Sequence, residues 1–89
     1  MAILVESYEK SMTSRREAER LVRDAARSET VPGLRFLGSM FIPDDETAFF
    51  LFDGAGVEDV RRVMVAAGIT IDRIVEADAD TPLRSPKED

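Results

Sequence analysis

The chain has 89 residues, no cysteine, no histidine and a net charge of −6. Without those two side chains there is no disulfide, no thiol nucleophile, and no serine–histidine or cysteine–histidine catalysis, in one chain or a homo-oligomer. The acidic balance disfavours nucleic acid and anionic membrane surfaces, and no apolar run approaches the ~20 residues a bilayer span needs.

One domain is expected, small enough to be only marginally stable alone. Ala2 to Tyr8 reads as a strand. Ile3 and Val5 share one face; Ala2, Leu4 and Tyr8 share the other, which Glu6 interrupts. The run Met1-Ala2-Ile3-Leu4-Val5 has no basic region before it and no small-residue cleavage site after it, so it reads as a strand and not a signal peptide. Cytoplasm is the expected location.

A helix follows. Ser14 and Glu17 match a capping box, with Thr13 competing for the cap. Ala18, Leu21, Val22, Ala25 and Ala26 recur at helical spacing as one apolar stripe. Arg15, Arg16, Arg20, Arg23 and Arg27 stud the rest, but Glu17, Glu19 and Asp24 interleave with them. That mixture reads as a solvated face rather than a basic stripe for an acidic partner. Val31-Pro32-Gly33 ends the helix, because proline cannot continue it and glycine turns the chain.

The centre of the chain is apolar on both faces. Leu34 to Ile42 is the second strand, Pro43-Asp44-Asp45-Glu46 a turn, and Thr47 to Asp53 the third strand. Strict alternation puts Leu34, Phe36, Met40 and Ile42 on one side, with Leu37 and Phe41 on the other. It also gives Arg35 and Ser39 a shared face. Phe50 and Phe52 oppose Phe49 and Leu51. Two helices can cover one face of such a hairpin. The other is expected to meet a second copy, with Leu37, Phe41, Phe49 and Leu51 as interface candidates.

Gly54-Ala55-Gly56 is a flexible connection. Val57, Val60, Met64 and Ala67 mark the buried face of a second helix, and Gly68 sits where a C-terminal glycine belongs. Ile69 to Ala77 supplies a fourth strand around Ile71, Ile74 and Val75. Residues 78–89 carry two prolines and many charges, and read as a mobile polar tail beyond a domain spanning 1–77. The order β-α-β-β-α-β is that of a ferredoxin-like α+β domain: a four-stranded antiparallel sheet in order four-one-three-two, with two helices on one face. Burying the other face in a dimer would give a dimeric α/β barrel.

Several stretches carry a resemblance: Gly33-Leu34-Arg35-Phe36-Leu37-Gly38-Ser39, Thr47-Ala48-Phe49-Phe50-Leu51-Phe52-Asp53-Gly54-Ala55, Val60-Arg61-Arg62, Ala66-Ala67-Gly68-Ile69 and Asp72-Arg73-Ile74-Val75-Glu76. Together they resemble a small uncharacterised ferredoxin-like family whose named example is a nickel-binding, nickel-responsive bacterial protein. The resemblance covers most of Met1 to Ala77 and implies the fold, a homodimer and, for one member, nickel. The family often carries cysteine before the strand-three leucine, where this chain has Phe50. The sulfur and nitrogen ligands that hold nickel well are absent throughout. No cofactor is therefore expected, and nickel is possible but disfavoured.

The polar residues interrupting the apolar strands are the ligand-pocket candidates: Glu6, Tyr8, Arg35, Ser39, Asp53, Arg73 and Glu76. Strands one and four are expected to be neighbours, so Glu6 should meet Arg73 or Glu76. A carboxylate in an apolar pocket has a raised pKa and can act as acid or base, and Tyr8 could donate a proton. The plainer reading is paired charges at a sheet edge or dimer rim. Asp44, Asp45 and Glu46 read as a solvated turn, and Met12, Met40 and Met64 as packing side chains. No metal site and no catalytic constellation stands out. The leading expectation is a non-catalytic homodimer, a small-ligand-binding or stress-associated module, with a small apolar ligand as a possible partner. The alternatives are a cofactor-independent monooxygenase or isomerase of the dimeric α/β-barrel type, using Tyr8, Glu6 and Arg73, and a nickel-binding protein.

Overall fold

The computed structural model describes residues 2–77; the tail expected over 78–89 lies outside them. Seven elements follow one another: β1 (Ala2–Tyr8), α1 (Met12–Ser28), β2 (Arg35–Ile42), a 3-10 turn (Pro43–Asp45), β3 (Thr47–Asp53), α2 (Val57–Ala67) and β4 (Arg73–Ala77). All strand pairs are antiparallel, and the sheet order is β2-β3-β1-β4. This is the ferredoxin-like arrangement expected from the sequence.

Helix α1 starts earlier than the Ser14 cap would place it. Ser11, in extended backbone, is the N-cap. Its hydroxyl accepts from the Ser14 amide at 3.1 Å, and the Ser14 hydroxyl accepts from the Ser11 amide at 3.2 Å. Serine thus fills the third helical position, in the first turn, that glutamate usually takes in a capping box. Helix α2 starts at Gly56, whose amide donates to Asp59 Oδ2 at 3.4 Å, and ends at Gly68 in the left-handed conformation. Strand β4 is shorter than Ile69 to Ala77. The Ile69 amide bonds back to the Met64 carbonyl at 3.0 Å, and the Thr70 carbonyl accepts from the buried Ser7 hydroxyl at 2.8 Å. Those backbone groups are used outside the ladder.

The core lies between the helices and one sheet face. Ile3, Val5, Ala48, Phe50 and Phe52 supply the sheet side; Ala18, Val22 and Ala25 come from α1, and Val60, Val63 and Met64 from α2. Val63 adds to the stripe read from the sequence. Phe36 tilts against Phe52 and Phe50, with centroids 5.1 and 6.4 Å apart. Each fully buried phenylalanine contributes about 1.5–3 kcal/mol over an exposed one. Where β2 begins and β3 ends, the backbones nearly touch. A Cβ on Gly54 would sit 1.8 Å from the Gly33 carbonyl oxygen, and Gly54 has φ +85°. Only glycine meets both demands.

Strand β2 is not regular. Phe36 pairs with Phe52, but Gly38, not Leu37, pairs with Leu51. Leu37 is the extra residue of a β-bulge, and Gly38 has φ +141°. The bulge inverts the alternation for the rest of the strand. Ser39 now opposes Phe50, Met40 opposes Phe49, and Phe41 opposes Ala48. Two sequence expectations change as a result. Phe41 packs against the core on the helix side and is not on the uncovered face with Leu37, Phe49 and Leu51; Met40 takes that place. Arg35 and Ser39 lie on opposite faces of the sheet.

Candidate functional site

The face turned away from the helices is a lattice of side chains fixed by the register. One row holds Arg35 and Asp53. The next holds Gly38, Leu51, Leu4 and Val75, and the next Met40, Phe49, Glu6 and Arg73. The last holds Ile42, Thr47 and Tyr8. The β2–β3 half is apolar at its centre, Arg35 and Asp53 sit at one end, and Glu6 and Arg73 continue the Met40–Phe49 row across β1 and β4. Leu37, Gly38, Ser39, Met40, Leu4, Phe49 and Leu51 line a concavity of about 220 Å³. It exists because Gly38 has no side chain above Leu51 while Leu37 bulges beside it. Met40 is 61% exposed, Tyr8 55% and Leu37 42%. That is unusual for large apolar side chains gathered on one face.

The charges of this face are paired. Arg35 grips Asp53 with two bonds, Nε–Oδ1 at 2.9 Å and Nη2–Oδ2 at 2.7 Å. This bidentate grip holds the Asp53 carboxyl below the usual carboxylate range and raises Arg35. Glu6 meets Arg73 at 3.7 Å across β1 and β4. Glu76 opposes Ile3, on the other face from Glu6, so the rival pairing does not form. Tyr8 donates its phenol hydrogen to Glu46 Oε1 at 3.0 Å, and its amide donates to Asp72 Oδ2 at 2.7 Å. The bond to Glu46, and then the charge of that carboxylate, raise the Tyr8 pKa. A phenol held this way is a poorer proton donor, which weakens the acid role considered for it.

Of the seven ligand-pocket candidates, Glu6, Tyr8, Arg35, Asp53 and Arg73 share the uncovered face. Ser39 joins a cluster on the helix side that strict alternation could not anticipate. Its hydroxyl donates to Glu19 Oε1 at 2.5 Å and accepts from Arg15 Nη1 at 3.1 Å. Arg15 Nη1 also reaches Glu19 Oε1 at 2.7 Å, and Arg23 Nη2 reaches Glu19 Oε2 at 2.6 Å. Arg23 lies over the Phe36 ring, 5.1 Å from its centroid. The Ser39 bond first, then the Arg23 and Arg15 guanidiniums, hold Glu19 below its ordinary range against an opposing effect of burial. The sequence reading placed Glu19 among solvated charges; only the bulge at Gly38 brings Ser39 over it. Leu4 was read on the correct face but not as lining of the concavity.

Among the described residues, no group of three or more carboxylate, histidine or cysteine side chains is placed to hold a metal ion. No helix among them is long and apolar enough to cross a membrane. No family model matches the chain, and no curated protein matches it. Among solved structures, the fold is similar to that in the crystal structure analysis of SCO4226 from Streptomyces coelicolor A3(2), with a TM-score of 0.74 and 19% identity over 91% of this chain and 100% of that one. A likeness at that identity establishes the fold class, ferredoxin-like α+β, and no activity.

Proposed function

We propose that this chain is a cytoplasmic, non-catalytic homodimer whose uncovered sheet faces meet and enclose a small apolar ligand. The observation that carries the reading is the apolar centre of that face, Leu4, Leu37, Met40, Phe49 and Leu51, gathered around a concavity. Area supports a second copy as the occupant. Four strands about 4.8 Å apart and seven residues at about 3.3 Å make a face of roughly 440 Å². Two such faces remove roughly 900 Å² before side-chain relief is counted, near the ~1,000 Å² that a specific interface needs. The charges also suit self-association. Within the face each acid is matched by a base, Arg35 with Asp53 and Glu6 with Arg73, so these pairs add no net like charge to the surface that would dock. The lining carries no ionisable group, which favours a neutral apolar ligand over a reacting one.

Native mass spectrometry, with and without added nickel, tests the reading. A species of twice 9.9 kDa is expected, with any extra mass that of an organic ligand. A 9.9 kDa species alone over a broad concentration range would sink the proposal. Nickel stands outside it, because carboxylates hold nickel weakly and with little selectivity; discrete nickel increments in the same spectra would reverse that.

A further inference from the structure

We infer that the Ser39–Glu19 hydrogen bond sets the register of the second half of β2, and so decides which side chains the docking face presents. Hydrophobicity cannot make that choice. With the bulge, Phe41 packs on the core while Met40 and Ile42 line the open face. Without it, the same segment would slip by one residue. Met40 would oppose Ala48 and turn inward, and Ser39 and Phe41 would turn outward. The bulged register turns Phe41 inward with Met40 and Ile42 outward, and the slipped one reverses all three; with apolar side chains on both faces, a slip moves no polar set into the core, and the apolar pattern that normally pins register is missing.

Polar contacts break the tie. In the bulged register Ser39 points at α1 and meets the Glu19 carboxylate, which Arg15 and Arg23 hold in place. In the slipped register Ser39 would leave it, and Gly38 would take its position with no donor to offer. Gly38 completes the device, since φ +141° is a conformation that L side chains rarely adopt, while the space around it is open. The helix thereby controls the opposite side of the sheet: Glu19 fixes Ser39, Ser39 fixes the bulge, and the bulge places Met40 and Ile42 outward. Glu19 is a positioning residue for the docking face. This deepens the homodimer reading and rests on it for its consequence, but not for its test.

The test is cross-strand NOE spectroscopy on isotope-labelled full-length protein. The native chain should give one set, pairing Met40 with Phe49 and Phe41 with Ala48. Ser39→Ala and Glu19→Ala should each add a second set pairing Met40 with Ala48 and Phe41 with Thr47. Losing a hydrogen bond to a charged group shifts such a ratio by about tenfold to a hundredfold. Gly38→Ala should move it the same way through the backbone, and Ser39→Thr, which keeps the hydroxyl, should keep the native set. Retention of the native pairing alone in Ser39→Ala and Glu19→Ala would overturn the inference. So would unfolding of both with the second register never populated. Sedimentation on the same samples separates the two claims. A register shift in a chain that is always monomeric refutes the homodimer and leaves the register claim standing. A dimer with an unmoved register does the reverse.

Discussion

Phe49 and Phe50 are adjacent in sequence and should behave as opposites. Phe50 is fully buried beneath the helices, while Phe49 is half-buried in the centre of the uncovered face. Truncating a buried phenylalanine costs about 3–5 kcal/mol through lost transfer energy and the cavity left behind. A domain of this length has about 4–13 kcal/mol of stability in all, at roughly 0.05–0.15 kcal/mol per residue. Phe50→Ala should therefore lose between a quarter and all of it. Phe49→Ala removes a ring that water already reaches, and should cost the isolated protomer under about 1 kcal/mol. In a face-to-face dimer the same ring is lost twice, at about 1 kcal/mol or more each, so association should weaken at least about thirtyfold. Urea unfolding of dilute protein reads the first quantity, and sedimentation equilibrium across concentrations reads the second. Equal destabilisation by both substitutions would refute the assignment of faces. Unchanged association in Phe49→Ala would refute the interface.

Other substitutions probe single features. Gly54→Ala combines a positive φ with a 1.8 Å clash against Gly33, so it should cost more than the ~1–2 kcal/mol of the left-handed conformation alone, read by urea midpoint. Ser11→Ala removes the N-cap of α1 and should cost about 1 kcal/mol, while Thr13→Ala should be near neutral. The chain has one tyrosine, so an absorbance titration reads Tyr8 alone. Its midpoint should lie above the ordinary value of about 10 and fall back in Glu46→Gln. Glu19 and Asp53 both have carboxyls held below the ordinary range. Their stabilisation is fully present above the unfolded-state pKa of about 4 and is lost as pH falls through their lower folded values. Urea midpoints should therefore drop on acidification below about pH 4, and the drop should shrink in Glu19→Gln.

Much of the architecture was legible because local signals agreed. The apolar stripe Ala18, Val22 and Ala25, the breaker Pro32, the cap Gly68 and the alternation through Phe49 to Phe52 all point to one arrangement, and the fold carries each of them. Strand order alone put Glu6 beside Arg73 or Glu76, and the register of β4 selects Arg73. The errors in the second strand share one physical source. Strand parity counts residues, and a bulge adds one. Past Leu37 every assignment reversed, which sent Phe41 inward, Met40 outward and Ser39 to Glu19. A glycine inside an apolar strand was the available warning. The cap at Ser11 was missed for a different reason. Serines at 11 and 14 both fit a capping position, and only the path of the chain out of β1 decides between them.

The irregularity in β2 also bears on what this chain does not become. Strand β2 forms one edge of the sheet, and its outer amides and carbonyls have no strand beside them among the described residues. A flat, apolar edge of eight residues would offer a template on which further copies could add without limit. The kink at Leu37 and Gly38 breaks the spacing of those groups, so a copy approaching side by side cannot match them over the whole length. The sticky face remains available while the sticky edge is spoiled. If the uncovered face pairs two chains as proposed, growth along this edge would stop there instead of running on as a ribbon, and straightening the bulge is the change most apt to turn such a pair into a fibre.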